Sequence, residues 1–355
     1  MTTKIKLALL GCGDVAHRDY LPEFHRIAEW AEIVAVCGRG EARARLTAQQ
    51  YAIPHVYTDY RRMLAETDAE AVVNLTPMQM HYETNLACLQ AGKHVYTEKT
   101  VTSNTQQARH LAHEAQQRNL TLVCAPCIMV WPQIQLAKRL VQDGAIGEVH
   151  SARGLGYGGV PPWAGFPSDP SPFFATNGGP QRDMGVYPLH ALTGILGPAQ
   201  RVTAMNAHAQ SSFVIGDGPF VGKMIPVEEP DTWLMLLDHG NGTISTVEAN
   251  NSVQDTKAAQ LELFGLKGSI ALNLIDGAAP IHLLQTSPKW EWREMAVPHA
   301  RAAGPDHILG VEHLVKCLQN STLPVLSIQH AAHVVEIIEK AGLAAAQGQT
   351  MTIDL

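Results

Sequence analysis

No apolar run in this 355-residue chain approaches the roughly 20 residues a helix needs to cross a bilayer, so no membrane-spanning segment is expected. Basic residues are also short. The 26 Lys and Arg stand against 33 Asp and Glu, and a net charge of -7 leaves no basic footprint for nucleic acid. Cysteine is sparse, with six residues at 12, 37, 88, 124, 127 and 317, three of them inside apolar strand-like runs, as reduced core thiols are. Cys124-Ala125-Pro126-Cys127 has redox or zinc spacing, but no second Cys or Cys-His pair lies near to complete a tetrahedral site, and no metal is expected. No separate leader with a cleavage site precedes the first strand, so cytoplasmic residence is the default expectation. Aromatics make up only 6% and charged residues 17%, against 46% apolar residues, a soluble globular composition whose length suggests two domains.

What is present is alternation. Over the first 125 residues, short apolar runs near 5–10, 32–37, 71–75, 94–97 and 121–124 alternate with helical patterns, which reads as βαβ units and a parallel sheet. The first helix is expected to kink at Pro22 and continue through Phe24, Ile27 and Ala28. After Pro126 a helix over about 132–142 and an extended run from Gly147 lead into a stretch, 154–180, dense in Gly, Pro and aromatics such as Trp163, Phe166, Phe173 and Phe174. A helix over 181–196 follows, then strand-like segments near 201–209, 231–238, 243–250, 259–265, 268–273 and 281–295, and helices near 306–319 and 328–345. Strands in succession mean a largely antiparallel sheet. The expected fold is α/β: a Rossmann-type parallel-sheet domain over 1–125, then an α+β domain over 126–355 with helices on one sheet face, the final helices being free to pack back on the first domain.

The chemistry begins at Gly11-Cys12-Gly13-Asp14-Val15-Ala16, the G-x-G-x-x-A dinucleotide fingerprint between a buried strand and a helix. Gly11 permits the tight turn and Gly13 lets the backbone approach a pyrophosphate, where free N–H groups favour an anion. The second run ends at Cys37-Gly38-Arg39, so Gly38 stands where an acidic residue would meet a ribose 2'-hydroxyl, and Arg39 suits a 2'-phosphate. NADP is therefore preferred over NAD. Thr76 and Pro77 fall at a strand's carboxyl edge, where a nicotinamide ribose would pass, while His81 reads as a helix cap or surface group. Glu98-Lys99 ends another strand at that same edge, where open α/β sheets bind ligands. Lys99 can hold a substrate hydroxyl or share its proton, although an arbitrary lysine is usually a solvated one. On one continuous helix, Asp183, Tyr187 and His190 would share a face able to orient a hydroxylated substrate and move its proton. The same residues would serve equally as a cap, a half-buried ring and a packing histidine.

These motifs together resemble the Gfo/Idh/MocA oxidoreductases nearly end to end. Besides the fingerprint, Thr76-Pro77 with His81 is similar to the family's T-P-x-x-x-H, and Ala91 to Val95 with Glu98-Lys99 to its A-G-K-H-V-x-x-E-K-P. Gly144 to Gly147, Gly178-Gly179 with Asp183, Gly185 and Tyr187, and Gly265 to Gly268 resemble its later segments. The resemblance implies a large open sheet in the second domain and NAD(P)-linked oxidation or reduction of sugars, polyols or related diols. It further implies Lys99 near the nicotinamide and the reacting oxygen, Tyr187 as acid/base in place of the family's histidine, and Asp183 orienting substrate or tuning Lys99. With it, Gly11 to Ala16, Gly38, Arg39, Thr76, Pro77, His81, Glu98 and Lys99 are expected around the cofactor, and Lys99, Trp163, Asp183 and His190 around the substrate. Three departures stand out. Thr100 replaces the proline of E-K-P, which removes the sequence ground for a cis bond after Lys99. His190 stands where the family often has aspartate, and no arginine precedes Pro132 in Ile128 to Trp131.

Two rival readings remain: redox-assisted glycoside cleavage or elimination, in which the nicotinamide is restored each cycle, and a non-catalytic NAD(P)-sensing protein. A homo-oligomer, dimer or tetramer, is expected through the second domain's sheet, whose Leu234, Leu236, Ile244, Val247, Leu261 and Leu263 need cover on both faces or a partner.

Overall fold

The computed structural model describes residues 4–159, 161, 166–298 and 304–354. The chain divides into two compact units, Met1–Cys127 with His307–Ala332, and Ile128–Asp306 with His333–Leu355. The units part after Cys127, close to the expected boundary at 125, and the returning segment His307–Ala332 belongs to the first unit.

The first unit is a six-stranded parallel sheet, β1 Ile5–Leu10, β2 Ala31–Cys37, β3 His55–Tyr57, β4 Ala71–Asn74, β5 His94–Thr97 and β6 Leu122–Cys124, ordered β3-β2-β1-β4-β5-β6. Its inner strands read as nearly continuous apolar runs because both faces are covered, and all four residues of β4 are buried. Helices α1 Glu41–Gln50, α2 Tyr60–Glu66, α3 His81–Gln90 and α4 Thr105–Gln117 make the crossovers. Two starts are visible in sequence: the Asp59 carboxylate accepts from Arg61 N–H, and the Asn104 side chain from Gln107 N–H. The returning helix Ile308–Asn320 buries Ile308, Val311, Leu314 and Val315, spaced three, three and one apart, and packs on β5 and β6. Beyond it, Leu326 O accepts from Cys124 N–H at 3.0 Å, closing the β6 edge.

The kinked first helix is corrected. After one α turn from Asp14 the chain forms a π-type turn, Ala16–Tyr20, and then a 3-10 turn, Phe24–Arg26. Leu21 N–H reaches back five residues to Ala16 O at 2.8 Å, and Pro22, with no N–H, cannot continue the ladder. This irregular segment carries Tyr20 into the interior.

The second unit is built on a nine-stranded mixed sheet. In chain order it holds α5 Pro132–Gln142, β7 Val149–Tyr157, α6 Pro180–Asp183, α7 Val186–Leu196, β8 Arg201–Ala207, β9 Ser212–Val214, β10 Met224–Pro226, β11 Thr232–Asp238, β12 Ile244–Asn250, β13 Leu261–Gly265, β14 Gly268–Leu272, β15 Ile281–Gln285 and β16 Glu291–Met295. Strands β9 and β10 form a separate hairpin, and Met351–Thr352 closes one edge of the large sheet. Every pairing in that sheet is antiparallel except β7 with β12. The segment expected as one strand over 281–295 is two, and the short hairpin and β3 carried too few residues for a period to register.

Alternation sorts the two faces. Val202, Leu237, Ala152, Leu263, Ile270 and Leu283 lie in one cross-strand row and are all buried. Helix α7 lies over this face: a Cβ on Gly154 of β7 would stand 2.5 Å from Pro188 Cβ. Burial of such side chains contributes roughly 1.5–3 kcal/mol each. Of the six apolar residues that need cover, Val247, Leu261 and Leu263 belong to the buried face, whereas Leu234, Leu236 and Ile244 are 50%, 45% and 47% exposed, with Met205 beside them. The helix expected over 181–196 is broken at Met184-Gly185, where Gly185 lies against Ala249 of β12. Among the described residues no helix is long and apolar enough to cross a membrane.

Candidate active site

The fingerprint turn holds its glycines for different reasons. Gly11 has φ +100, and a Cβ there would lie 2.6 Å from Leu75 O, so the turn admits no side chain. A Cβ on Gly13 would meet no atom within 4 Å: the space beside it is open, as approach of a pyrophosphate to the backbone requires. Cys12 and Ala16 are buried, while Asp14 is paired with Arg18 at 2.8 Å. These residues fit a dinucleotide. Gly38 follows the last residue of β2, and Arg39 beside it is exposed.

At the carboxyl ends of β4 and β5 a buried polar network replaces the apolar core. Asn74 donates to Thr84 Oγ1 at 2.8 Å and to Asn85 Oδ1 at 2.7 Å, and its Oδ1 accepts from the Thr76 hydroxyl at 2.8 Å. Asn85 in turn donates to Thr97 Oγ1 at 3.1 Å. This fixes Thr76-Pro77 relative to the end of β5 through satisfied hydrogen bonds. His81 is corrected from a surface group to a core one, 1% exposed. Its Nδ1 lies 2.7 Å from Thr100 O and its Nε2 2.8 Å from Thr76 O, so it spans the two strand ends. A neutral ring donates to one of these carbonyls and a charged ring to both.

Burial lowers the His81 pKa below the ordinary 6.5, against the two carbonyls and Glu98, which act to raise it. Burial likewise lowers that of His239, which is held by Gly197 O and Ser245 Oγ. Between pH 6.5 and these lower folded-state values the unfolded chain binds more protons than the folded one. Stability is therefore full above about pH 6.5 and is lost as pH falls through the folded values, at up to about 1.4 kcal/mol per histidine per pH unit. Urea melts at about pH 7.5 and pH 5.5 are expected to show a lower midpoint at the acid pH; equal midpoints would contradict it.

Glu98 is 8% exposed and multiply held. One oxygen accepts from the Tyr20 hydroxyl, which also lies 2.8 Å from Tyr96 Oη, and the other accepts from Lys99 N–H at 3.0 Å. His307 Nδ1, from the returning segment, stands 3.9 Å from the first oxygen. Burial works to raise the Glu98 pKa, but His307, Lys99 and the Tyr20 hydroxyl together hold it below the usual carboxylate value. Burial and Glu98 push the Tyr20 hydroxyl well up, keeping it a donor. Lys99 is half-buried just past the end of β5, and the Lys99–Thr100 peptide is cis, a bond for which Thr100 gave no ground in sequence. The reading of the sequence missed Tyr20, Asn74, Asn85 and His307; the signal was a polar residue inside an apolar strand, as in Ala71-Val72-Val73-Asn74.

In the second unit Asp183, Tyr187 and His190 are buried, at 2%, 7% and 4% exposure. The break at Met184-Gly185 puts Asp183 at the end of α6 and Tyr187 in the first turn of α7, so continuous helical spacing does not bring them onto one face. The Tyr187 ring stands 6.1 Å from that of Trp131, whose N–H donates to Asp306 O. His190 Nδ1 lies 2.9 Å from Val186 O, within its own helix. Trp163 lies outside the described residues. All six cysteines are buried and free, and no cluster of three or more His, Cys, Asp or Glu among the described residues is placed to hold a metal.

A parallel sheet with an open glycine turn at β1 and a pinned Glu-Lys pair at β5 defines a Rossmann-type nucleotide-binding unit joined to a second unit with a broad, half-covered sheet. The oxidoreductase family with an NAD-binding Rossmann fold matches residues 5–125, and the GFO/IDH/MocA C-terminal domain matches residues 134–271. The chain belongs to the GFO/IDH/MocA family. It is 30% identical over 211 residues to the D-glucoside 3-dehydrogenase of Escherichia coli, covering 59% of this chain and 58% of that one, so the match spans little more than half of the relative. It is 24% identical over 371 residues to the D-apiose dehydrogenase of Paraburkholderia graminis, covering 99% of this chain and 90% of that one. A levoglucosan dehydrogenase solved with NADH and L-sorbose shares the fold, with TM-score 0.87 at 18% identity over 99% of this chain and 100% of that one.

Proposed function

We propose that this protein is an NAD(P)-dependent oxidoreductase acting on a CH-OH or carbonyl carbon of a sugar, polyol or related diol. The observation that carries the proposal is Lys99. It stands at the carboxyl end of β5 with its own N–H held by the buried Glu98 carboxylate and the next residue's carbonyl beside His81. A structural lysine has no need of such a support. The dinucleotide, when bound along Gly11 to Ala16 with its nicotinamide end near Thr76 and Pro77, supplies the hydride acceptor or donor. Lys99 and Tyr187 hold the substrate oxygen and exchange its proton, Asp183 orients the substrate, and His190 lines its sugar side. NADP is preferred, through Arg39 and the absence of an acid at Gly38. The carbohydrate substrate class is supported by the family and by relatives named D-glucoside 3-dehydrogenase and D-apiose dehydrogenase.

The test is a panel of free sugars, glycosides and polyols, with their keto forms in the reverse direction, followed by nicotinamide absorbance with each cofactor. Stoichiometric reduction or oxidation is expected with at least one sugar. Product formed without net absorbance change would favour redox-assisted cleavage, and no change across the panel with tight cofactor binding would favour a sensor.

The exposed face carrying Met205, Leu234, Leu236 and Ile244 is taken to join a second copy of the chain. A dimeric or tetrameric mass at micromolar concentration is expected, falling toward the monomer in Leu234→Glu/Leu236→Glu; a wild-type monomer would rule the interface out.

A further inference from the structure

The adenosine-ribose end of the nucleotide site carries a constraint that its sequence motif does not spell out. Gly38 is not there for backbone freedom, since its φ is not in the positive range. It is there for space: a Cβ at position 38 would stand 2.3 Å from Cys12 Sγ. That sulfur cannot readily retreat, because Cys12 is 4% exposed and a cysteine has only three staggered positions for its Sγ. Its thiol is within reach of the Thr47 hydroxyl and the field of Arg43, both on α1. Thr47 Oγ1 in turn lies 2.9 Å from His17 Nε2 and 2.9 Å from Arg43 O, so this wall is already hydrogen-bonded.

The charges around this space are only partly compensated. Arg18 and Arg45 are neutralised by Asp14 and Asp19, and by Glu41. Among the described residues, Arg39 and Arg43 are exposed and enter no such pair. Among the described residues the rim therefore offers two guanidinium groups without a salt bridge, while its carboxylates Asp14 and Glu41 are paired with other arginines, a surface for a dianionic phosphate.

We propose that Cys12 is a specificity-determining residue: its sulfur occupies the room an acidic side chain at position 38 would need, which commits the site, with Arg39 and Arg43, to a dinucleotide bearing a 2'-phosphate. This deepens the NADP reading above and rests on that cofactor binding at Gly11 to Ala16. An aspartate introduced at 38 meets the thiol before it can reach a ribose hydroxyl. Removing the thiol first should release the constraint.

Fluorescence titrations of the full chain with NADPH and NADH test this without any substrate, so its failure leaves the assignment as an oxidoreductase standing. Wild type is expected to bind NADPH at least about tenfold tighter than NADH. Gly38→Asp alone should weaken both, whereas Cys12→Ala/Gly38→Asp should bind NADH about tenfold tighter than Gly38→Asp does and leave NADPH weak. Gly38→Asp binding NADH as well as the double variant does would overturn the role of Cys12. Should either variant fail to fold, Arg39→Ala and Arg43→Ala, both at exposed positions, decide the matter. Each should cost about tenfold in NADPH affinity with NADH within about twofold; unchanged NADPH affinity, or a wild type that prefers NADH, overturns the proposal.

Discussion

Lys99→Met is expected to lower turnover by about a thousandfold while shifting dinucleotide affinity by less than about threefold, because positioned acid–base groups contribute about 10²–10⁴ in rate. Methionine keeps most of the unbranched length of the lysine side chain and removes its terminal ammonium, with its charge and its proton. The backbone that aims the residue should survive, since Glu98 accepts from the Lys99 main-chain N–H and His81 stands against the carbonyl of Thr100, neither of which involves the lysine head. Half-burial leaves room for the apolar replacement, so melting should change little. Lys99→Arg should not rescue turnover: a guanidinium keeps the charge but does not give up its proton near neutral pH. Steady-state rates and fluorescence titration separate the two effects. Turnover retained within about tenfold would remove Lys99 from the chemistry.

Tyr187→Phe should lower kcat by about a hundredfold with KM little altered, the pattern of an interaction made mainly in the transition state. The substitution takes away one oxygen and leaves the ring packed beside Trp131, with centroids 6.1 Å apart, so the fold around α7 is expected to persist. Asp183→Asn keeps shape and loses charge. If Asp183 orients substrate, that change should act chiefly on KM, whereas an equal fall in kcat would place it in the proton path. Full kcat in Tyr187→Phe would make the tyrosine a core ring and leave proton exchange to Lys99 alone.

The frame of this molecule was legible where residues repeat with a period or where one residue type is obligatory. Apolar runs such as Ala71 to Asn74 announced strands buried on both faces, and Gly11 announced a turn whose φ of +100 excludes other residues. Which of Leu234 to Leu237 face the core was not legible, because all four are apolar: Met235 and Leu237 are buried while Leu234 and Leu236 are exposed. What else could not be read was longer in range. Tyr20 and Glu98 are 78 positions apart, and His307 reaches Glu98 only because the chain returns to the first unit after leaving it. His81 looked like a surface group because nothing local reveals that two carbonyls from different strand ends converge on its ring. Pro22 and Gly185 each ended a helical pattern that periodicity alone would have carried through.

The central claim is that a carbon-bound hydrogen of a carbohydrate passes to the nicotinamide while residues of this chain manage the proton on the neighbouring oxygen. Incubating wild-type protein and oxidised cofactor with a sugar or glycoside deuterated at its carbinol carbons, then weighing the recovered nicotinamide by mass spectrometry, addresses that claim directly. One deuterium per reduced cofactor is the predicted result, absent in Lys99→Met. Reduced cofactor without deuterium, or product with no cofactor reduced, would contradict it.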